Sequence, residues 1–255
     1  MDTIEFHSHE QQDEFVYNLF SNYQNGFFLD ISCGNPVIGS NSYALEKYKG
    51  WQGLCFDLSD FETSHQWSKQ RTSRFIQADA TSPALTSFLL GAVPQGLAVD
   101  YISLDVDANG TNLALPALIK VLEAGVRFKA MTFEHECYIH GTGIRDQARA
   151  VLTSQGYVPL FEDVRLWAGG LQDDSKWSFE DWWIDPEHFD PRVLDAKDSG
   201  LYYFECIEKL KNTLGNEYTA THHCSRAWPE EYDLFWNQSE EQQLKGLFSQ
   251  MTPRG

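Results

Sequence analysis

The sequence predicts an α/β fold: a doubly wound, mostly parallel seven-stranded sheet of the Rossmann-like kind, with an antiparallel pair at one edge and a helical C-terminal extension. Three observations support this prediction. Five short, nearly continuous apolar runs alternate with helix-like segments between residues 27 and 154, as in parallel sheets that helices cover on both faces. Two more strand-like runs follow with no helix between them. After residue 186 the chain is acidic and has mainly helical patterns.

The predicted strands are short and rich in apolar, β-branched and aromatic residues. In chain order they cover residues 27–32, 53–58, 74–80, 101–106, 129–136, 157–164 and 179–184. An acidic loop containing Gly-Gly joins the last two, so we expect them to form the antiparallel pair. Trp182 and Trp183 would point to opposite faces of the last strand, which favours core packing over a sugar-binding platform.

The predicted helices lie between the strands. They cover residues 42–48, a polar stretch that ends near residue 70, and residues 83–90, 113–123 and 142–154. Pro83 suits the first turn of its helix, and Gly125 and Gly156 follow the ends of two others.

The C-terminal extension is predicted to be helical. Its helices cover residues 201–214 and 239–248, with Ser239 as an N-cap. We therefore expect residues 1–186 to form one domain and residues 187–255 to form an extension packed on it.

Composition and charge limit the function classes. The chain has 19 basic and 37 acidic residues, a net charge of −18, which opposes binding to nucleic acid or to an anionic membrane surface. No run approaches the roughly 18 apolar residues of a membrane span, and the acidic N-terminus does not resemble a secretory signal. The five cysteines form no Cys-x-x-Cys pair. We therefore expect free thiols and a cytoplasmic protein.

Acidic residues stand near the ends of the first three predicted strands, at Asp30, Asp57 and Asp79. Small residues, Ser32 to Gly34, follow the first strand and would let the backbone approach a ligand closely. An acid at the end of the second strand commonly binds both ribose hydroxyls. Asp79 could accept a hydrogen bond from the adenine amine. This pattern fits an adenosine with a cationic, amine-bearing substituent, such as S-adenosylmethionine.

A nicotinamide dinucleotide fits less well. The run from Asp30 to Pro36 has one glycine where such cofactors require Gly-x-Gly-x-x-Gly, and an acid aimed at a pyrophosphate would repel it. The sequence therefore disfavours a dehydrogenase.

The segment FLDISCGNPVIGSNSYALEKYKGWQGLCFD resembles the opening of FkbM-type methyltransferases, which are class I S-adenosylmethionine enzymes, and DYISLDVDANG resembles their fourth-strand block. The likeness runs from about residue 26 to residue 164. It implies roles for these positions: Asp30, Cys33 and Gly34 at the methionine end of the cofactor, Asp57 on the ribose, Asp79 and Ala80 at the adenine, and Asn41 and Ser42 at the start of the first helix beneath the cofactor. Ser32 stands where the family usually has glycine.

The methyl acceptor is expected beside the fourth and fifth strands. Asp105 and Asp107 end the fourth strand, and Glu134 and His135 end the fifth. Two mechanisms are open. His135 or a carboxylate such as Asp105 could act as the general base for an acceptor hydroxyl. Alternatively, Asp105, Asp107 and Glu134 could hold Mg²⁺, which would lower the pKa of that hydroxyl.

Two alternatives give some of these polar residues no functional role. Asp107 and Asn109 could simply cap the next helix. His222-His223-Cys224 has no partners at metal-ligand spacing, so the sequence predicts no metal site there.

The resemblance implies an O-methyltransferase that acts on a hydroxyl of a small molecule or glycan. A nucleic-acid methyltransferase is the first alternative, but Pro-Pro and Pro-Cys, which base methylases commonly use, do not occur in the chain. The second alternative is a non-catalytic cofactor-binding or assembly subunit, in which Asp105, Asp107 and His135 would be structural.

Overall fold

The computed structural model describes residues 3–93, 98–166 and 177–223. Its strands are β1 (Thr3–Phe6), β2 (Phe27–Ile31), β3 (Gln52–Asp57), β4 (Arg74–Gln77), β5 (Ala98–Leu104), β6 (Asp107–Ala108), β7 (Thr111–Asn112), β8 (Arg127–Glu134), β9 (Val158–Arg165), β10 (Ser178–Ile184), β11 (Asp198–Ser199) and β12 (Thr219–His222). Its helices are α1 (Gln12–Leu19), α2 (Tyr43–Lys49), α3 (Phe61–His65), α4 (Trp67–Gln70), α5 (Pro83–Ala92), α6 (Ala114–Glu123), α7 (Cys137–His140), α8 (Gly143–Ser154) and α9 (Tyr203–Leu214).

The main sheet has eight strands in the order β11-β9-β10-β8-β5-β2-β3-β4. From β2 the chain runs outward to β3 and β4, and then crosses to β5 on the other side of β2. The strand order thus reverses between β2 and β5, and ligands of open α/β sheets bind at such a point, beyond the carboxyl ends of the strands. Every strand of this sheet is parallel to its neighbours except β10, which lies antiparallel between β8 and β9.

The predicted doubly wound, mostly parallel sheet is confirmed, with three differences. The sheet has eight strands instead of seven, because the two residues of β11 extend its edge beside β9. The sequence also did not predict the parallel pair β1–β12 or the β6–β7 hairpin. The described part of the extension contains the short strands β11 and β12 and 3-10 helical turns as well as α9, so it is not purely helical. The predicted helix 239–248 lies outside the described residues.

Helices cover both faces of the sheet, and each face has its own hydrophobic core. One core packs α5, α6 and α8 on the sheet through residues such as Leu85, Leu118 and Leu152. The other packs α1, α2 and α9 through residues such as Phe15, Leu45 and Leu210. Trp183 belongs to the first core and Trp182 to the second, and both are fully buried. The core-packing interpretation of these tryptophans is therefore confirmed. No helix in the described ranges is long and apolar enough to span a bilayer.

Neither β1 nor α1 was predicted from the sequence. Helix α1 buries several polar side chains, among them Asp13, Glu14 and Asn18. Ser8 donates to Asp13 locally, whereas residues far away in the chain satisfy the other two: the Tyr218 hydroxyl donates to Glu14 at 2.7 Å, and Asn216 donates to Asn18 at 3.0 Å. Because these partners are non-local, the segment looks like a solvated, acidic N-terminus in the sequence.

Close packing at Gly53 on β3 gives a stability prediction. A Cβ at this position would lie 2.3 Å from the Phe28 ring and 2.6 Å from the Phe28 carbonyl oxygen. We expect Gly53→Ala to lower the free energy of unfolding by about 1–3 kcal/mol, since overpacking forces neighbours to shift. Gly91 on α5 has open space around the same position, so Gly91→Ala should raise stability by about 0.5–1 kcal/mol. Urea denaturation of both variants tests this contrast; equal effects would contradict it.

Candidate active site

The loop after β2 is held against β3. The backbone amides of Ser32 and Cys33 both donate to the carbonyl of Phe56, at 2.8 and 3.0 Å. Ser32 has a φ of 68°, in the left-handed region that favours glycine. Gly34 also has a positive φ, and an added Cβ there would meet no heavy atom within 4 Å. The loop therefore presents its backbone at Gly34 to open space.

Asp57 at the end of β3 holds this loop. Its Oδ2 accepts a hydrogen bond from the Gly34 amide at 3.0 Å, and its Oδ1 accepts one from the Ser59 amide at 2.8 Å. Partial burial raises the pKa of Asp57, while these amides oppose the shift. A carboxylate has about four acceptor positions, and the Leu58 amide and the Ser59 hydroxyl also act on this one, so the hydroxyls of a ligand would share the carboxylate with these groups.

Asp30 is the last but one residue of β2, just before the loop, and is 2% exposed. Its Oδ2 accepts a 2.5 Å hydrogen bond from the Ser42 hydroxyl, and Asn41 next to it donates to Ser103 at 2.9 Å. Burial raises the pKa of Asp30, and the bond from Ser42 and the charge of Arg71 counteract it. Asp30 and Ser42 thus join β2 to the start of α2, directly behind the loop.

Arg71 is a component of this site that sequence reasoning missed. Its side chain is completely buried. The guanidinium donates to the Pro36 carbonyl at 2.8 Å and to the Ser42 hydroxyl at 2.9 Å, and it forms an ion pair with Glu46 at 2.8 Å. One side chain thereby fixes three points of the loop and of α2. No sequence signal marks it, because an arginine in a polar Gln-Arg-Thr-Ser turn looks solvent-exposed.

Asp79 and Ala80 follow β4, beside β3. Asp79 is exposed, and its Oδ1 accepts hydrogen bonds from the amide and hydroxyl of Thr81 at 2.8 and 2.7 Å. Ala80 is buried in the core. Asp79 therefore stabilises its own turn, and Oδ2 is the oxygen that these two bonds leave open.

Six carboxyl groups gather around the carboxyl ends of β5 and β8 and the amino end of the antiparallel strand β10. This carboxyl cluster consists of Glu10, Asp105, Asp107, Glu134, Glu136 and Glu180. Burial, followed by the charge of Asp107, raises the pKa of Asp105 to about 7. Burial also raises the pKa of Glu134 well above its usual range, together with the charges of Asp105 and Glu180. The charges of Asp30 and Asp57 act on Asp105 as well, so the cluster adjoins the loop after β2.

Hydrogen bonds organise the carboxyl cluster. Asp105 and Glu134 act on each other's pKa, so the two carboxyls lie close together within the cluster. Glu180 accepts from Gln12 at 3.0 Å and from the Trp182 indole at 2.5 Å, and burial raises its pKa to about 8. Asn112 donates to Glu136 at 3.1 Å.

The outer part of the cluster is more open. Asp107 is solvent-exposed at the rim, yet the surrounding protein and the carboxylate of Glu136 raise its pKa to about 7. Asp107 therefore belongs to the cluster. The sequence had also allowed the alternative that it only caps the next helix.

The segment between β1 and α1 runs along this edge of the sheet. Ser8 pairs with Gly39 of the loop after β2. Glu10 contributes to the cluster, where burial raises its pKa to about 8, and Gln12 bonds to Glu180. Residues 8–12 thus form a wall of the site. Sequence reasoning could not find it, because only the fold brings the N-terminus to these strand ends.

His135 does not face the carboxyl cluster. Its side chain is completely buried, its Nδ1 accepts from the Cys137 amide at 3.3 Å, and its Nε2 lies 3.5 Å from Asp181. Arg149 binds both oxygens of Asp181 at 2.7 Å. The expectation of a general base at His135 is therefore corrected. Glu134 and Glu136 point into the cluster, and the histidine between them points the other way.

The carboxylates predicted to hold Mg²⁺ are not arranged as a metal site. Within the described ranges, two groups of residues place three donor atoms within 4.8 Å of one another: Glu5, His7 and His223, and His135, Asp163 and Asp181. Asp105, Asp107 and Glu134 do not form such a group. In the second group, the guanidinium groups of Arg145 and Arg149 already neutralise the carboxylates.

Comparison with known proteins found similar structures only. No protein-family model and no curated protein matches the sequence. Human methyltransferase-like protein 13 in complex with SAH has a TM-score of 0.45 and 17% identity, over 80% of this chain and 90% of that one. A putative rRNA-methylase from Clostridium thermocellum has a TM-score of 0.43 and 11% identity, over 69% and 96%. The CurJ carbon methyltransferase has a TM-score of 0.42 and 12% identity, over 68% and 53%. At these values a functional proposal has to rest on the chain's own residues.

Proposed function

We propose that this protein is an S-adenosylmethionine-dependent methyltransferase whose acceptor is a hydroxyl of a small molecule or glycan. The observation that carries the proposal is the arrangement at the reversal of strand order. There Gly34, whose amide donates to Asp57, has open space on the side where a Cβ would stand, and the carboxyl cluster that contains Asp105 adjoins this loop.

The residues at the ends of β2 and β3 fit the donor. The carboxylate of Asp57 suits the ribose hydroxyls as an acceptor, and the small residues from Ser32 to Gly34 allow close approach of the backbone. The acidic surroundings suit a molecule with a sulfonium and an ammonium group. Asp79 and Ala80, at the end of β4, are the positions that the FkbM resemblance assigns to the adenine. When bound, the donor supplies an electrophilic methyl group.

Asp105 is the proposed general base. A hydroxyl becomes a good nucleophile as it loses its proton, and a base works best when its pKa lies near the operating pH. Burial and the neighbouring Asp107 raise the pKa of Asp105 to about 7, which meets this condition. Its neighbour Glu134 lies close to it within the cluster. The proton of the acceptor hydroxyl thus passes to the Asp105 carboxylate.

The charge of the site disfavours nucleic acid as the acceptor. Six carboxyl groups surround the expected acceptor position, and the whole chain has a net charge of −18. A phosphate backbone would be repelled by the net charge. At the site itself, those carboxyls of the cluster that are ionised would add to this repulsion.

A cationic amine is the second candidate acceptor, and the carboxyl cluster is the observation that favours it. An ammonium or guanidinium group would offset the burial and the mutual repulsion that raise the pKa values of Asp105, Glu134 and Glu180. Parallel assays with neutral glycosides and with alkyl amines or guanidines separate the candidates. Turnover of amines alone would replace the hydroxyl proposal.

Calorimetric titration with S-adenosylhomocysteine tests the donor site. We expect wild-type protein to bind it, and Asp57→Asn to bind about 10- to 100-fold more weakly, because hydrogen bonds to a charged group contribute about 1.5–3 kcal/mol. The matched control is Asp195→Asn, which changes an exposed aspartate on a 3-10 helix. Folded wild-type protein without measurable binding, or equal binding by Asp57→Asn, would contradict the proposal.

A further inference from the structure

The parallel pair β1–β12 brings together three side chains of the types that bind metal ions, Glu5, His7 and His223, none of which belongs to the carboxyl cluster. Glu5 and His7 lie on one face of the N-terminal strand, since residues two apart share a face. His223 follows β12 and lies next to His7, because its amide donates to the Phe6 carbonyl at 3.0 Å. His222 points to the opposite face, where it bonds to Glu14 at 2.5 Å.

The donor atoms of this cluster converge. One ligand atom from each of Glu5, His7 and His223 lies within 4.8 Å of the other two. Glu5 Oε1 is 3.7 Å from His223 Nε2, and the rings of His7 and His223 stack with centroids 4.7 Å apart. These spacings are slightly wider than the ligand separations around a bound ion, so small side-chain rotations would complete the set.

A second observation points to a ligand. His7 is 7% exposed, and its buried Nε2 has no hydrogen-bond partner. A buried polar atom without a partner is costly, and natural structures seldom keep one without a reason.

Neighbouring residues already orient the carboxylate. Lys47 bonds to Glu5 Oε2 at 2.5 Å, and the Tyr48 hydroxyl bonds to the same oxygen at 3.1 Å. Oε1 is thereby directed towards His223. Such outer contacts are typical of metal sites, where they fix the ligand geometry.

We propose that Glu5, His7 and His223 bind a zinc ion that joins β1 to β12. Two imidazoles and one carboxylate are a frequent zinc ligand set, with water in the fourth position. The site is independent of the proposed methyltransferase activity. Its role is to connect the N-terminal strand to the last described strand of the chain.

Zinc titration of chelator-treated, full-length protein tests this proposal. Calorimetry should show that the wild-type protein binds one zinc ion with high affinity. The melting temperature of the protein should rise when zinc is added. We expect His223→Gln to weaken this binding more than about 100-fold, because it removes a ligand, and changes to outer-shell partners alone already cost about 10- to 100-fold. Glu5→Gln should have a similar effect. Both residues are partly exposed, so these variants should fold.

The matched control is His65→Gln, which removes an exposed imidazole on α3 and should leave zinc affinity unchanged. Cobalt substitution gives an independent readout, since a four-coordinate site produces intense visible absorption that His223→Gln should abolish. The proposal is overturned if wild-type protein shows no zinc binding in the micromolar range. Unchanged affinity in both His223→Gln and Glu5→Gln would overturn it as well.

Discussion

Asp105→Asn is expected to reduce methyl transfer by about 10²- to 10⁴-fold, the usual contribution of a general base. Asparagine keeps the size of the side chain but cannot accept the acceptor's proton. Binding of S-adenosylhomocysteine should stay within about tenfold of wild type, since the expected donor contacts lie on the loop after β2 and at Asp57. The measurement combines turnover of an acceptor found in the glycoside and amine assays with calorimetry on the same preparation.

The pH dependence of the wild-type rate is part of this prediction. Burial and Asp107 raise the pKa of Asp105 to about 7, and a base is active only when deprotonated. Turnover should therefore fall as the pH drops below about 7 and level off above about 8. Asp195→Asn should retain wild-type turnover and the same profile. More than about a tenth of wild-type turnover in Asp105→Asn would exclude this carboxylate as the base.

Arg71→Met is expected to destabilise the protein by about 3–5 kcal/mol, which is typical when one partner of a buried ion pair is removed. The Glu46 side chain is 7% exposed and would lose its counter-charge. The Pro36 carbonyl and the Ser42 hydroxyl would lose their donor at the same time. Since these groups fix the loop after β2, affinity for S-adenosylhomocysteine should fall as well.

Urea denaturation and calorimetry measure the two effects of Arg71→Met. Arg74→Met is the matched control, because Arg74 is exposed at the start of β4 and should cost less than about 1 kcal/mol. The double variant Arg71→Met/Glu46→Gln should recover part of the lost stability if the uncompensated carboxylate is the cause. A loss below about 1 kcal/mol in Arg71→Met would mean that the loop does not depend on this residue.

The strands and helices of the main sheet could be predicted because local sequence patterns mark them. Strands buried on both faces, such as β2 and β5, appear as continuous apolar runs, and the helices between them carry ordinary start and stop signals. Helix α1 could not be recognised, since its buried Glu14 and Asn18 are satisfied by Tyr218 and Asn216 at the other end of the chain. A single sequence contains no sign of such distant partners.

The candidate site likewise combines residues that could be predicted from the sequence with residues that could not. Asp30, Asp57 and Asp105 could be placed near strand ends, and the sheet order explains why these ends meet. Glu10 and Arg71 were missed because they reach the site from segments without a recognisable pattern. His135 was assigned to the wrong side, since its neighbours Glu134 and Glu136 take the positions that face the cluster.

The pairing of β1 with β12 has a consequence for how the protein is made. Contacts between residues so far apart in the chain form slowly, because a long loop must close before they are gained. On the ribosome β1 lacks the strand with which it pairs in the described residues until β12 has been synthesised. Residues 8–12 lie between β1 and α1, so we expect the wall beside the carboxyl cluster to be completed only after β12 has left the exit tunnel. A nascent chain that stops before residue 219 would then expose an unfinished cleft.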